Sequence, residues 1–221
     1  MFGKPFISSS DKCTHKVFII TNIRYEFISS EVAEICGIHA GDGHLRKNGK
    51  EFEVSGGIEE KDYYVGHVIP LFNRAFNLSI KGKYFKSKGT YGFRTSNSHI
   101  INTLKGAGFK LGNKTLTASV PKQILYSKDL DLITAFLRGY FDTDGCFTFD
   151  KKIGNPLSFH KTRNYYPRIL FTTCSKNLAK NLKYLVQLLG FKAHTYVYIP
   201  KVPTENKKYK MQIVGVKALN L

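Results

Sequence analysis

Residues 35–43 (ICGIHAGDG) and residues 137–145 (LRGYFDTDG) are two copies of one short segment. Each copy is an apolar stretch that contains small residues and closes on Asp-Gly, and Asp42 of the first copy aligns with Asp144 of the second. One pattern in both halves of a 221-residue chain indicates that the protein contains two similar units.

Each copy is predicted to be the last part of a helix. Ser29 or Ser30 can cap the first helix, and the second starts after Ser127, with Asp129 in its first turn. Small residues recur at every fourth position of both helices: Ala33, Gly37 and Gly41 in the first, Ala135, Gly139 and Thr143 in the second. Small residues at this spacing let another backbone approach closely. Because glycine inside a helix costs up to ~1 kcal/mol relative to alanine, we expect the two helices to pack together along these stripes.

The sequence Asp-Gly is expected to end each helix. Gly43 and Gly145 are predicted to be left-handed caps just past the helix ends. Asp42 and Asp144 would then lie at helix C-termini, where the helix dipole is already negative. Two carboxylates brought together there repel each other, and a divalent cation would resolve the conflict.

The elements that follow each helix also repeat. Alternating apolar residues predict strands, and residues 62–76 and 177–191 read as helices that precede a basic, aromatic hairpin. The order α-β-β-α-β-β-α occurs twice, although the last helix of the second half is expected to be truncated or missing. The predicted division is an N-terminal extension (1–28), a first repeat (29–105), a connector (106–126) and a second repeat (127–221).

The composition favours a nucleic-acid-binding protein. The chain has 34 Lys and Arg against 16 Asp and Glu, a net charge of +18, and the excess runs through both halves. The four cysteines form no C-x-x-C pair, which argues against a zinc ribbon or a disulfide framework. We find no membrane span and no signal peptide, so we expect a soluble intracellular protein, in the cytoplasm of a prokaryote or in an organelle.

The strands are predicted to present one face to a nucleic acid. With Phe52 and Val54 inward, Glu51, Glu53 and Ser55 face outward. Arginine and glutamine can read base edges, whereas lysine more often meets phosphate. The candidate DNA-binding residues are Arg46, Lys81, Lys83, Arg94, Arg168, Lys210 and Gln212.

These features resemble the LAGLIDADG homing endonucleases, in their single-chain, two-motif, intron-encoded form. The resemblance covers most of residues 29–221 and rests on the two motif copies, each followed by the same element order in a basic chain. The first copy departs from the family pattern at His39 and Ala40. The second departs at Arg138, Tyr140 and Phe141. The acid before the final glycine, which the family uses in catalysis, is intact in both copies.

The resemblance implies an α+β fold of two αββαββα repeats related by a pseudo-twofold axis. Their antiparallel sheets would form a saddle over DNA, with the motif helices at the interface. It also implies a monomer that cuts both strands of a long, asymmetric, near-palindromic duplex and leaves 3′ overhangs. Mg²⁺ is the expected cofactor, with two or more ions and Mn²⁺ as a substitute. Asp42 and Asp144 would be its ligands, assisted by the backbone carbonyls of Gly41 and Thr143.

A basic residue is expected beside the catalytic carboxylates. The family has a polar residue at the strand end before the second helix of each repeat, which falls here on Glu60 and Ser175. Their neighbours Lys61 and Lys176 are candidates, and Lys114 and Lys122 in the connector are others.

Some alternatives remain open. An RNA maturase on the same fold, with intron RNA as its partner, has the same charge and element order, although the intact Asp pair favours a nuclease. A transcription regulator or a self-splicing intein is disfavoured. Asp142 is given a secondary role because the first copy has Ala40 at that place. His39, Asp42 and His44 could hold a transition metal, but the second copy does not repeat this set.

Overall fold

The computed structural model describes residues 28–151 and 165–215. The predicted N-terminal extension and the last residues of the second repeat therefore lie almost wholly outside the described residues. The helices are α1 (Ser30–Gly41), α2 (Lys61–Tyr63), α3 (Ile69–Phe76), α4 (Ser98–Gly106), α5 (Lys122–Ser127), α6 (Leu130–Asp144) and α7 (Lys176–Leu188). The strands are β1 (Gly43–Leu45), β2 (Phe52–Gly57), β3 (Lys83–Phe85), β4 (Thr90–Thr95), β5 (Gly145–Lys151), β6 (Tyr165–Thr173), β7 (His194–Tyr198) and β8 (Lys208–Val214).

The predicted helix starts are close to those in the structure. Ser29 caps α1 and its side chain accepts a hydrogen bond from the Val32 amide. Asp129 caps α6 instead of lying in its first turn, and its carboxylate accepts hydrogen bonds from the amides of Asp131 and Leu132. In both cases a short polar side chain replaces the missing intrahelical acceptor.

Two four-stranded antiparallel sheets follow the two motif helices, with the orders β1-β2-β4-β3 and β5-β6-β8-β7. The predicted α+β fold with two αββαββ units is confirmed, and α4 completes the first unit as αββαββα. The prediction that the last helix of the second unit is truncated or missing falls on residues outside the described ranges. In the sequence, the strands of one sheet precede residues 106–126 and those of the other follow them. The exact division of the chain into repeats and connector stays a prediction.

One face of each sheet packs on the core. Phe52, Val54 and Phe93 of the first sheet are completely buried, and Phe171 and Met211 of the second are 1% exposed. The prediction that Phe52 and Val54 of β2 face inward is therefore confirmed.

The motif helices α1 and α6 pack directly against each other. A Cβ atom added to Gly37 would collide with the backbone carbonyl of Phe136 and lie 2.8 Å from the Tyr140 amide nitrogen. A Cβ added to Gly139 would collide with the carbonyl of Glu34 and lie 3.0 Å from the amide nitrogen of Ile38. The predicted stripe-to-stripe packing is confirmed, because the two backbones are in contact where the glycines lie.

The prediction that Gly43 and Gly145 are left-handed caps is wrong. Neither is among the residues with positive φ, and Gly145 has an extended backbone with φ −89° and ψ 162°. Each glycine is the first residue of a strand, and a Cβ would lie 2.6 Å from Cα of His39 at Gly43 and 2.7 Å from Cα of Phe141 at Gly145. Glycine is required because the chain turns back tightly against its own helix, and not because of the sign of φ.

The helix predicted at residues 62–76 is interrupted. A 3₁₀ turn at Ile58–Glu60 leads into α2, and a π-helical segment, Tyr64–Val68, separates α2 from α3. π-helical turns are frequent at functional sites, and this one carries Tyr64 and His67 toward the motif helices.

No helix among residues 28–151 and 165–215 is both long enough and apolar enough to cross a membrane.

Candidate metal site and nucleic-acid interface

The two motif aspartates lie together at one end of the α1–α6 pair. Asp42 caps the C-terminus of α1, and Asp144 is the last residue of α6. A Cβ added to Gly41 would lie 2.7 Å from Cβ of Thr143 and 3.4 Å from Oδ2 of Asp144. One carboxylate from each repeat therefore reaches the same place, because the small-residue packing brings the helix ends together.

The site is electrostatically unfavourable for two charged carboxylates. Burial, the charge of Asp144 and the charge of Glu60 raise the pKa of Asp42 to about 6. Burial also raises the pKa of Asp144, although the charge of Lys114 and the nearby hydroxyl of Tyr140 oppose this shift. Both shifts show that negative charge is disfavoured here, as expected at two helix C-termini.

Lys114, from the segment between the repeats, places a cation at this site. Its ammonium group donates hydrogen bonds to the carbonyl oxygens of Ala40 at 3.0 Å and Gly41 at 2.5 Å. Burial lowers the pKa of Lys114, while the charges of Asp144 and Asp42 oppose that shift. Lys114 thus neutralises part of the negative charge at the end of α1.

The other basic candidates lie elsewhere. Lys61 is exposed, with its Nζ 5.7 Å from the ring centroid of Tyr91. Lys176 and Lys122 are exposed at the starts of α7 and α5. Lys114 is the candidate that the structure brings to the carboxylates.

The oxygen-rich environment fits a hard divalent cation. Asp42 and Asp144 supply carboxylate oxygens, and the carbonyl of Gly41 lies beside them. In this structure the carbonyl of Gly41 accepts a hydrogen bond from Lys114. Mg²⁺ prefers a few carboxylate oxygens together with water and phosphate oxygens. The hydroxyl of Thr143, in contrast, donates to the carbonyls of Tyr140 at 3.0 Å and Gly139 at 3.4 Å within its own helix.

A second polar cluster joins α1, the π-helical segment and α6. Glu34 is 2% exposed and accepts hydrogen bonds from Arg138 and from Nε2 of His67, the latter at 2.6 Å. Tyr63 donates to Oδ2 of Asp142 at 3.0 Å. Ligand atoms of Glu34, His67 and Asp142 lie within 4.8 Å of one another. Because both oxygens of Glu34 already face nitrogen donors, we interpret the cluster as an ion-pair network that links the two repeats.

His39 does not reach a metal site. Its side chain is completely buried, and neither ring nitrogen hydrogen-bonds to a described residue. The ring packs edge-on against Phe109, with centroids 4.3 Å apart. Burial holds the pKa of His39 well below its ordinary value, so the ring is neutral.

The outward face of the first sheet carries a cluster of charged residues. Glu53 faces outward as predicted, but it is only 6% exposed because Lys88 and Arg94 cover it. Burial alone would raise the pKa of Glu53, but hydrogen bonds from Lys88 and Arg94 outweigh it and lower the pKa. A cavity of about 420 Å³ opens beside this cluster and is lined by His44, Arg46, Lys47, Asn48, Glu53 and Lys88.

The remaining DNA-binding candidates are divided between the two sheets. In the first, Arg46 pairs with Glu51 at 2.7 Å, Lys83 lies 5.2 Å from the ring centroid of Phe85, and Lys81 is exposed. In the second, Nη1 of Arg168 donates to Oε1 of Gln212 at 3.4 Å, and Nζ of Lys210 lies 5.3 Å from the ring centroid of Tyr198. The strand residues Lys83, Arg168, Lys210 and Gln212 lie on the face opposite the core.

The second half of the chain matches a family model described as "LAGLIDADG-like domain", over residues 131–220. The structure is similar to that of the homing endonuclease I-DmoI in complex with DNA and Mn, with TM-score 0.54, 16% identity, and coverage of 85% of this chain and 90% of that chain. It is also similar to the LAGLIDADG homing endonuclease I-LtrWI bound to target DNA, with TM-score 0.51, 14% identity, and coverage of 88% of this chain and 81% of that chain. The chain has the LAGLIDADG fold.

Two curated proteins of Methanocaldococcus jannaschii also contain related sequence. The replication factor C small subunit is 27% identical over 194 residues, which are 87% of this chain and 9% of that protein. The probable translation initiation factor IF-2 is 30% identical over 149 residues, 65% of this chain and 11% of that protein. The chain thus spans about a tenth of the length of the curated relatives it matches. The two matches cover 87% and 65% of this chain, so they must overlap. Similar sequence therefore occurs in two proteins with different named activities, and the match indicates neither activity for this chain.

The tyrosines around the carboxylates of Asp42 and Asp144 were not predicted from the sequence. The hydroxyl of Tyr64 donates to Oδ2 of Asp42 at 3.3 Å. Tyr140 donates to the carbonyl of Thr172 at 2.9 Å, and its hydroxyl also lies close to Asp144. A signal for Tyr140 was present, since it lies four residues before Asp144 on one helix face. The sequence gives no comparable signal for Tyr64, because it belongs to a distant element.

Proposed function

We propose that this chain is a site-specific double-strand DNA endonuclease that uses Asp42 and Asp144 to hold the catalytic metal. The observation that carries the proposal is the convergence of one carboxylate from each repeat at the ends of two tightly packed helices. A duplex has two strands of opposite polarity, and a pseudo-symmetric pair of acids is suited to cut one bond in each. The net charge of +18 and the basic outward faces of both sheets supply the attraction for DNA.

Mg²⁺ is the proposed cofactor, held by Asp42 and Asp144 with the carbonyl of Gly41. A bound divalent ion would neutralise charge on the scissile phosphate and lower the pKa of a water molecule. Support comes from I-DmoI, whose structures include complexes with target DNA in the presence of Mn or Mg. The number of ions, the product with 3′ overhangs, the carbonyl of Thr143 as a ligand and the monomeric state are part of the proposal.

The chain's own residues prepare this site in three ways. The hydrogen bond from Tyr64 fixes the carboxylate of Asp42. The raised pKa of Asp42, about 6, still leaves its carboxylate ionised at pH 7.5, so that it can bind a cation. Nζ of Lys114, held at the carbonyl of Gly41, is positioned to donate a hydrogen bond to a phosphate oxygen.

The test compares three Asp→Asn variants at Mg²⁺ concentrations that support cleavage. The probe is a duplex library that spans candidate insertion sites, and the readout is sequencing of cut ends. Asp42→Asn and Asp144→Asn should abolish cleavage but keep DNA binding, because neither lies on the outward face of a sheet. Asp131→Asn is the matched control, since Asp131 is exposed in the first turn of α6. A fully active Asp144→Asn protein would refute the assignment. The RNA maturase alternative stays a prediction, and intron RNA in the binding assay tests it.

A further inference from the structure

The strand register makes Arg94 and Gln212 equivalent positions in the two halves. Two residues after the catalytic aspartate, His44 pairs with Glu53, which pairs in turn with Arg94. Two residues after the other aspartate, Cys146 pairs with Leu170, which pairs with Gln212. We call these sets the first row (His44, Glu53, Arg94) and the second row (Cys146, Leu170, Gln212). Because the two rows occupy equivalent positions in the two sheets, they would face base pairs at equal distances from the centre of a duplex bound across both sheets.

The first row holds an arginine in one fixed orientation. Oε2 of Glu53 accepts hydrogen bonds from Nε of Arg94 at 2.8 Å and from Nη2 at 2.6 Å, while Lys88 pairs with Oε1. The guanidinium carbon of Arg94 also lies 5.5 Å from the ring centroid of Phe85. A guanidinium has five N–H donors, so these bonds leave donors at Nη1 and Nη2 for a ligand. The side chain of Arg94 is 30% exposed, which keeps that end accessible.

The second row is chemically different. Leu170 replaces the carboxylate of Glu53, and Gln212 replaces the arginine. Nη1 of Arg168 donates to Oε1 of Gln212 at 3.4 Å, which orients the amide and leaves its NH₂ group available. The side chain of Gln212 is half-buried on the outward face of the second sheet.

We propose that Arg94 selects guanine in one half-site and that Gln212 selects adenine at the dyad-related base pair of the other. This inference rests on the proposed function. Arginine matches O6 and N7 of guanine, and glutamine matches N6 and N7 of adenine, in the major groove. Glu53 is the positioning residue for Arg94, because it holds the guanidinium through Nε and Nη2. The target is therefore asymmetric at this pair of positions.

The test uses the full chain with Ca²⁺ and a randomised duplex library, followed by sequencing of the bound fraction. Wild-type protein should enrich guanine at one position and adenine at its dyad mate. Arg94→Gln should change guanine to adenine at that position alone, with a reversal of preference of roughly 5- to 150-fold, the range for one bidentate contact. The double variant Leu170→Glu/Gln212→Arg should change the mate from adenine to guanine.

Two further variants separate positioning from charge. Glu53→Gln should weaken the guanine preference several-fold more than it weakens total binding, because Arg94 loses its fixed orientation. Glu51→Gln, which removes the partner of Arg46 outside the rows, should leave the preference at both positions unchanged. If the Arg94→Gln protein and the Leu170→Glu/Gln212→Arg protein both still select the wild-type sequence, this inference is overturned and the proposed function is not. A wild-type protein that enriches no duplex would overturn the proposed function and this inference with it.

Discussion

Replacing Asp42 by asparagine should make the metal-free protein more stable while it removes the activity. The folded protein places the carboxylate of Asp42 at a helix C-terminus, beside Asp144 and Glu60. Asparagine has nearly the same shape and can still accept the hydrogen bond from Tyr64, but it carries no charge. The substitution therefore removes an unfavourable charge without leaving a cavity.

The magnitude follows from the pKa of Asp42, which rises from 3.8 to about 6 on folding. One pKa unit corresponds to about 1.36 kcal/mol, so the ionised group lowers the free energy of unfolding by at most about 3 kcal/mol. Solvent at the open side of the site screens part of this effect, and we expect a gain of about 1–3 kcal/mol at pH 7.5. For a chain of this size that is an increase in Tm of roughly 3–10 °C.

The stability difference between the Asp42→Asn protein and wild type should depend on pH. Because the folded-state pKa is above the unfolded one, the folded protein holds the proton more tightly between about pH 4 and pH 6. The contribution of the protonated Asp42 side chain to the free energy of unfolding is fully present below pH 3.8 and is lost as the pH rises through about 6. The advantage of the asparagine variant should therefore be near zero at pH 4 and reach its full size above pH 7.

The assay is thermal and urea unfolding of both proteins in EDTA from pH 4 to pH 8. Asp131→Asn is a matched control of opposite sign: it removes a charge from the positive end of α6 and should lose about 0.3–1 kcal/mol. Added Mg²⁺ should raise the Tm of wild-type protein and have little effect on Asp42→Asn. An Asp42→Asn protein that is less stable than wild type at pH 7.5 would refute the electrostatic account of this site.

Three further predictions concern other parts of the molecule. Lys114→Met should lower the cleavage rate by about 10²–10⁴-fold with DNA binding retained, whereas Lys122→Met should not, as single-turnover kinetics would show. Gly139→Leu should lower the free energy of unfolding by more than about 3 kcal/mol in urea, because its side chain would separate α1 from α6; Gly106→Ala, whose Cβ meets nothing within 4 Å, should change it by under about 1 kcal/mol. DNA affinity should fall by about 10³–10⁵-fold between 50 and 200 mM salt, and a flat titration would contradict the proposed interface.

The sequence was sufficient to predict features that depend on local pattern. The four-residue spacing of small residues predicted the contact between Gly37 and Gly139, and the duplicated Asp-Gly predicted that Asp42 meets Asp144. Both follow from helix periodicity, which neighbouring residues determine.

Features that depend on the approach of distant segments were not predictable in this way. The sequence offered Lys61 and Lys176 as candidates, with Lys114 and Lys122 as others, and only the fold placed Lys114 at the carbonyl of Gly41, 73 residues away. Glu53 has the sequence pattern of an exposed strand residue, but Arg94 and Lys88 from a distant hairpin bury it. The prediction of left-handed caps at Gly43 and Gly145 was wrong because a glycine can be required for two different reasons. A positive φ and a lack of space for a side chain both select glycine, and the sequence alone does not distinguish them.

The position of Lys114 has a consequence for the exchange of halves between related proteins. The two motif helices each bring an acid, but the lysine bound to the carbonyls of Ala40 and Gly41 comes from the segment that joins the halves. A chimera that combines residues before about position 106 with a foreign second half would keep both sheets and both aspartates and still lose this ammonium group. A chimera should therefore keep the joining segment together with the first half, because Lys114 binds carbonyl groups of that half.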